Sequence, residues 1–179
     1  DAEITNNEYR QFVYWVKDSI SHVLLDHYKE EEEGQETEVP LIDWDQEIDW
    51  DDEETRSRLE ELYLPASETY YGIKSLDTRQ LIYNYRWVKW KEAASKSNRD
   101  KNIADFIVEE PVTIYPDTLV WVHDYTYSFN EPMTRQYFSH PAFDDYPVVG
   151  VSWKQANAFA TWRSDFWNDW RRQHDEVQM

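Results

Sequence analysis

Thr5-Asn6-Asn7-Glu8-Tyr9-Arg10-Gln11-Phe12-Val13 opens one helix, and Val148-Val149-Gly150-Val151-Ser152-Trp153-Lys154-Gln155-Ala156 leads into another. In both, a hydroxyl residue stands three positions before a Glu or Gln. That spacing lets the two side chains cap the first free backbone N–H groups reciprocally. After the first cap, Tyr9, Phe12, Val13, Val16, Ile20, Val23, Leu24 and His27 recur at i, i+3, i+4, i+7, which predicts a helix to about residue 29. After the second, Ala156, Phe159, Ala160, Arg163, Phe166, Trp167 and Trp170 trace a helix face to about residue 173. Val148–Val151 reads as a short apolar strand feeding that helix. The two aromatic stripes are predicted to pack on one another.

Between these ends the signals are shorter. Residues 55–64 read as a short helix stopped by Pro65. In 77–95, Tyr83, Tyr85 and Trp87 alternate like a strand, whereas Lys89–Ala94 favours helix over the second half. Val112–Tyr115 and Leu119–His123 read as two strands about the turn pair Pro116-Asp117. Residues 124–147, dense in Tyr, Phe, Asn, Asp and Pro, read as an ordered irregular loop.

The chain has 179 residues, the size of one domain carrying a large insertion. Leu, Ile, Val and Phe together number 38, few enough that a core must also draw on the 10 Trp and 13 Tyr. The net charge of −19 makes the phosphate backbone of a nucleic acid a repulsive partner. An anionic membrane surface is disfavoured for the same reason. Without cysteine, disulfide scaffolds, thiolate zinc sites and thiol nucleophiles are excluded within this sequence. No apolar run approaches the roughly 18 residues of a membrane span. The start at Asp1, without Met or signal peptide, reads as a processed or trimmed piece.

The acidity has an address. Residues 26–61 carry 17 acidic and 3 basic side chains, a net of −14. Glu30–Glu33 with Gly34 read as solvated loop. There follows Ile42-Asp43-Trp44-Asp45-Gln46-Glu47-Ile48-Asp49-Trp50-Asp51, in which Ile-Asp-Trp-Asp occurs twice, six residues apart. In an extended chain Ile42, Trp44, Ile48 and Trp50 would share one face and the acids the other. The residues leave three uses open for this arm. It could pin its Trp face onto its own domain, with the acids discouraging edge-to-edge pairing. It could dock Ile42, Trp44, Ile48 and Trp50 into a partner's groove, as Trp anchors commonly do. It could hold calcium, although the Gly-punctuated spacing of a calcium loop is missing.

Catalytic signals are weak. Ser152 lacks a Gly-x-Ser-x-Gly setting and is accounted for as a helix cap. Asp144-Asp145 fits a turn before Pro147 better than an acid–base pair. His123 and His140 have no ligands at zinc spacing. His22 and His27 read as a surface and a stripe-edge residue, without a ligand-spaced partner. The glycines, Gly34, Gly72 and Gly150, form no phosphate-binding loop. No catalytic residue, metal or cofactor is assigned.

Glu3-Ile4-Thr5-Asn6-Asn7-Glu8-Tyr9-Arg10-Gln11-Phe12 resembles the opening Glu-[Val/Ile]-Thr-Asn-x-x-Tyr-x-x-Phe of the formylglycine-generating (sulfatase-modifying factor) family. Tyr146–Arg163 resembles its second block, Pro-Val-x-x-Val-[Ser/Thr]-Trp-x-x-Ala-x-x-[Tyr/Phe]-x-x-Trp. The family's oxidase chemistry uses a later cysteine pair and its calcium sites also lie later, so no such residue carries over. The interval between the blocks is longer than in ordinary members and makes residues 30–140 an insertion, with 30–61 as its acidic arm. Tyr14–Ile20, Leu76-Asp77-Thr78-Arg79, Tyr115–Thr118 and Asp124–Pro132 resemble the gliding-motility lipoprotein K family, GldK, or PorK in non-gliding Bacteroidetes.

The resemblance implies an irregular α+β fold of the formylglycine-generating-enzyme type, C-type-lectin-like. Residues 1–179 would supply the N-terminal part of that fold, with its chemistry absent. It implies a structural subunit of the type IX secretion and gliding machinery, in the periplasm at the outer membrane. The subunit would be anchored through a lipidated cysteine upstream of Asp1. Its expected partners are a GldN/PorN-type ring subunit, further copies of itself in the ring, and other outer-membrane secretion components. The alternatives are a sulfatase-modifying-factor-type enzyme and a cell-wall or carbohydrate-binding module.

Overall fold

The computed structural model describes residues 3–29, 40–69, 71–124 and 136–173. The architecture is α+β, with helices and a two-stranded antiparallel sheet. In chain order the elements are α1 (Asn6–Leu24), α2 (Glu53–Arg58), β1 (Ile82–Val88), α3 (Trp90–Ala93), β2 (Ile107–Thr113), α4 (Val120–Asp124) and α5 (Trp153–Gln173). The chain divides into two compact units, one of Asp1–Phe12 with Ile82–Met179 and one of Val13–Leu81. This division by compactness differs in kind from the expected 30–140 insertion, which rests on the two sequence blocks.

In the first unit the opening motif acts residue by residue. The Thr5 N–H donates to the Glu8 carboxylate at 2.9 Å, and the Glu8 N–H donates back to Thr5 Oγ1 at 3.2 Å. The next free N–H groups, of Asn6 and Asn7, donate to the carbonyls of Tyr146 at 2.9 Å and Asp144 at 3.1 Å. The helix start is thereby satisfied by a distant stretch of chain as well as by its own cap. Buried Asn6 donates its amide to the Phe143 carbonyl at 2.9 Å, and Arg10 reaches the Phe138 carbonyl and the Asp144 carboxylate.

The aromatic stripes meet as expected. Tyr9 stacks on Phe159 at 5.3 Å, and Phe12 lies 5.1 Å from Trp162 and edge-on to Tyr83 at 5.3 Å. The buried Tyr9 hydroxyl donates to the Ile114 carbonyl at 2.9 Å, which keeps a polar tip in an apolar site satisfied. Burial also pushes its phenol well above the ordinary range. Along α5 the buried face is not the predicted one. Of the predicted residues Phe159 is buried, Ala158 and Trp162 are buried off that face, and Ala156, Ala160, Arg163, Phe166, Trp167 and Trp170 are exposed.

Several short elements differ from expectation. β1 takes the alternating Tyr83, Tyr85 and Trp87, and helix is confined to Trp90–Ala93. Its partner β2 starts earlier than Val112, in register from Ile82↔Thr113 to Val88↔Ile107, and includes Pro111. Both strands of a two-stranded sheet are edges, so a missing N–H there is tolerated. Leu119–His123, read as a strand, instead lies largely in α4, where the Asp117 side chain accepts the Leu119 N–H at 2.9 Å. That local bond starts a helix rather than a strand.

Val148–Val151 is also not a strand. Val148 donates to the Ile4 carbonyl at 2.9 Å, but Gly150 turns to φ 74 and accepts the Asp117 N–H at 2.8 Å. A Cβ at Gly150 would sit 2.2 Å from the Asp117 carbonyl oxygen, so glycine is required there. The Ser152–Gln155 cap forms as read, with Ser152 N–H to Gln155 Oε1 at 2.7 Å and Gln155 N–H to Ser152 Oγ at 3.3 Å.

The second unit has a leucine core. Leu25, Leu59 and Leu62 are buried, with Ile20, Leu24, Ile48, Tyr63 and Leu76 packed around them. Asp52 caps α2 by accepting the Thr55 N–H at 2.8 Å, and a 3-10 turn over Leu59–Leu62 completes the expected short helix. Buried Asp77 accepts from Arg79 through both carboxylate oxygens, at 2.8 and 2.9 Å, and Arg79 also meets Glu68 at 2.9 Å. The Arg79 hydrogen bond holds the Asp77 carboxyl below its usual range.

α1 ends at Leu24, short of the expected residue 29, because Asp26 adopts φ 58. The Asp26 N–H returns to Val23 at 3.2 Å and the His27 N–H to His22 at 3.0 Å. These two bonds make a Schellman stop, with Asp26 where Gly or Asn usually stands. Arg58 pairs with the Asp26 carboxylate from the other side.

Candidate interaction surface

The acidic arm returns along the end of α1. Lys29 N–H donates to the Leu41 carbonyl at 2.9 Å, Tyr28 and Ile42 form an antiparallel bridge, and Asp43 N–H donates to the His27 carbonyl at 3.0 Å. Beyond this point the chain is not extended. Asp43 Oδ1 accepts the Asp45 N–H at 3.3 Å and its Oδ2 accepts the Gln46 amide at 2.8 Å. Asp49 repeats the move on the Asp51 N–H at 3.0 Å. The first acid of each Ile-Asp-Trp-Asp copy thus builds a turn through its own side chain, the competition with extended structure that Asp brings. The Gln46 hydrogen bond holds the Asp43 carboxyl below its usual range.

The turns give Ile42, Trp44, Ile48 and Trp50 separate seats instead of one face. Ile42 is half-buried in its bridge with Tyr28, and Ile48 packs against the Leu25–Leu59–Leu62 core. Trp44 stacks on Trp15 at 5.5 Å and meets the His22 ring edge-on at 5.2 Å. Trp50 lies under the Lys17 ammonium, 4.6 Å from the ring centroid. Both indoles keep an outer surface, at 44% and 40% exposure, among the exposed Asp45, Asp49 and Asp51. An aromatic pair adds about 0.5–1.5 kcal/mol beyond its burial, and an exposed cation–π contact about 0.5–1 kcal/mol. Those two contacts alone therefore hold the indoles only modestly. The acidic run Glu30–Glu33 lies outside the described residues.

The sequence reading assigns no binding role to the floor of this surface, Trp15, Lys17 and His22. The signal was present: Trp15, Asp18 and His22 recur at i, i+3, i+7 and mark a second stripe on α1. His22 is buried rather than superficial, and its Nδ1 lies 3.0 Å from His27 Nδ1. Burial first, then the neighbouring His27, pushes the His22 imidazole below its ordinary value, against the opposing pull of Asp18 and Asp43.

The side chains weighed for chemistry have structural occupations. Ser152 caps α5, Asp144 pairs with Arg10, and His140 Nδ1 accepts the Ala142 N–H at 3.1 Å. Among the described residues no group of three His, Cys, Asp or Glu side chains is placed to hold a metal ion, and no helix is long and apolar enough to cross a membrane. In the first unit a groove of about 380 Å³ lies between Ile4, Val148, Val151, Ala156 and Phe159, with Arg163 at its edge. Comparison with protein-family models, curated proteins and solved structures finds no match for this chain.

Proposed function

We propose that this chain is a non-catalytic structural subunit of the type IX secretion and gliding machinery, meeting a GldN/PorN-type partner in a periplasmic ring at the outer membrane. The finer fold reading belongs to the same proposal: the N-terminal part of a formylglycine-generating-enzyme-like domain, used without its chemistry. Support for the fold reading comes from the two motif-bearing helices, whose caps form and whose aromatic stripes interlock. The observation that carries the interaction role is the arm surface. It presents two indoles, each seated on α1 and still 44% and 40% exposed, within a segment of net charge −14. Such a surface suits a partner with apolar pockets edged by Lys or Arg.

Replacing Trp44 and Trp50 together with Ala is expected to weaken recovery of the GldN/PorN-type subunit in co-purification at least about tenfold, the scale of a hot-spot pair. The far-UV circular dichroism should stay unchanged. Undiminished recovery would leave the arm a purely intramolecular element. Exposed Trp153 and Trp90, at 77% and 64%, favour a second reading as a carbohydrate-binding surface, and retention on purified cell-wall sacculi tests it.

A further inference from the structure

The end of α1 departs from the usual helix stop in one respect. In a Schellman motif the residues at its two closing positions commonly make an apolar contact. Here those positions are His22 and His27, the pair joined by the 3.0 Å backbone bond. Their rings lie 5.2 Å apart with Nδ1 facing Nδ1 at 3.0 Å. The arm is fastened around the same two residues: Asp43 N–H on the His27 carbonyl, Ile42 bridged to Tyr28, and Trp44 edge-on to the His22 ring.

Proton counting limits what this contact tolerates. An Nδ1–H···Nδ1 bond needs one protonated and one bare nitrogen. It survives when both rings are neutral, and when one ring is an imidazolium. With both rings charged, two N–H donors would face each other at 3.0 Å, and the attraction becomes repulsion. The charged groups facing the pair are Asp18 from α1 and Asp43 from the returning arm, with Lys29 facing Asp43. The two carboxylates favour the first proton. Neither can repair the Nδ1–Nδ1 contact after the second.

We propose that the His22–His27 pair is an acid-released latch, which opens on taking up its second proton and frees residues 41–44 from the end of α1. The lowered affinity of His22 for a proton agrees with this. A group that binds its proton less tightly when the arm is docked stabilises docking above its ordinary value near 6.5. That stabilisation is lost as pH falls below 6.5 toward the docked-state value. The latch concerns the chain alone and does not depend on the partner reading.

Amide hydrogen exchange of the full chain tests it at Asp43 and Lys29, whose N–H groups close the arm onto His27 and Leu41. Between pH 7.5 and pH 5, protection of these amides, corrected for intrinsic exchange, is expected to fall roughly tenfold. The core amides of α1 should hold. His27→Asn places a neutral amide near the Nδ1 position and is expected to diminish the pH step, leaving only the part that burial of His22 supplies. A wild-type arm whose protection is flat over this range, or a step undiminished in His27→Asn, would overturn the latch. Titration of both rings by NMR supplies an independent reading on the unmodified chain. Two separated steps are expected, the lower one tracking the arm amides; a single shared step would refute the proposal.

Discussion

The two compact units are built on different principles. The first is closed by aromatic rings and by polar side chains bound to carbonyls far along the chain: Tyr9 to Ile114, Arg10 to Phe138 and Asn6 to Phe143. The second closes on three buried leucines, and its stretch of sequence carries most of the molecule's net negative charge. The contrast shows how a chain poor in aliphatic side chains can order two cores. Where apolar side chains are scarce, large rings bury area and their polar tips need fixed partners, which ties distant segments into one geometry. Where charge is dense, a small leucine cluster and self-made Asp turns suffice, and the outer layer is held by weaker, individually replaceable contacts.

The strongest test of this contrast is Phe12→Ala. Phe12 is fully buried against Tyr83, Phe159 and Trp162, so its removal is expected to cost about 3–5 kcal/mol, read from urea denaturation midpoints. A loss under about 1 kcal/mol would mean that the rings do not carry the first unit. Next comes Gly150→Ala, which drives a Cβ into the Asp117 carbonyl from a left-handed backbone. A loss of about 1–3 kcal/mol is expected, measured by thermal melting, because the strain exceeds the smaller gain from a stiffer unfolded chain. Smallest is Lys17→Ala in the second unit, at about 0.5–1 kcal/mol. Lys17→Arg should keep most of that contact, and a loss in Lys17→Ala as large as in Phe12→Ala would erase the distinction between the units.

Legibility followed the range over which each feature is decided. Both long helices could be read because caps and stripes are properties of neighbouring residues. The capping pairs Thr5–Glu8 and Ser152–Gln155 form as written in the sequence. The short apolar runs mislead because four or five such residues fit strand or helix equally. Val112 lies in a strand because β1 pairs with it, while Leu119–His123 turns helical on the Asp117 side chain. Val148–Val151 loses strand geometry to Gly150, whose turn is needed for a close approach to Asp117.

The same division holds at the arm. Its composition, its two Ile-Asp-Trp-Asp copies and the concentration of acid were plain from the residues, and so was the choice between inward pinning and outward docking. Alternation implied one shared face, but two Asp side chains made turns and gave Ile42, Trp44, Ile48 and Trp50 different neighbours. Sequence by itself determined where the helices begin, which rings could form a core and where the charge accumulates, since these rest on local bonding and on counting. Only the tertiary structure decided that Trp44 lies on Trp15, that Lys17 covers Trp50, and that His22 meets His27 beneath the returning arm. Such contacts depend on where a left-handed Asp26 stops a helix and on the path the chain then takes, and no periodicity in the residues encodes that path.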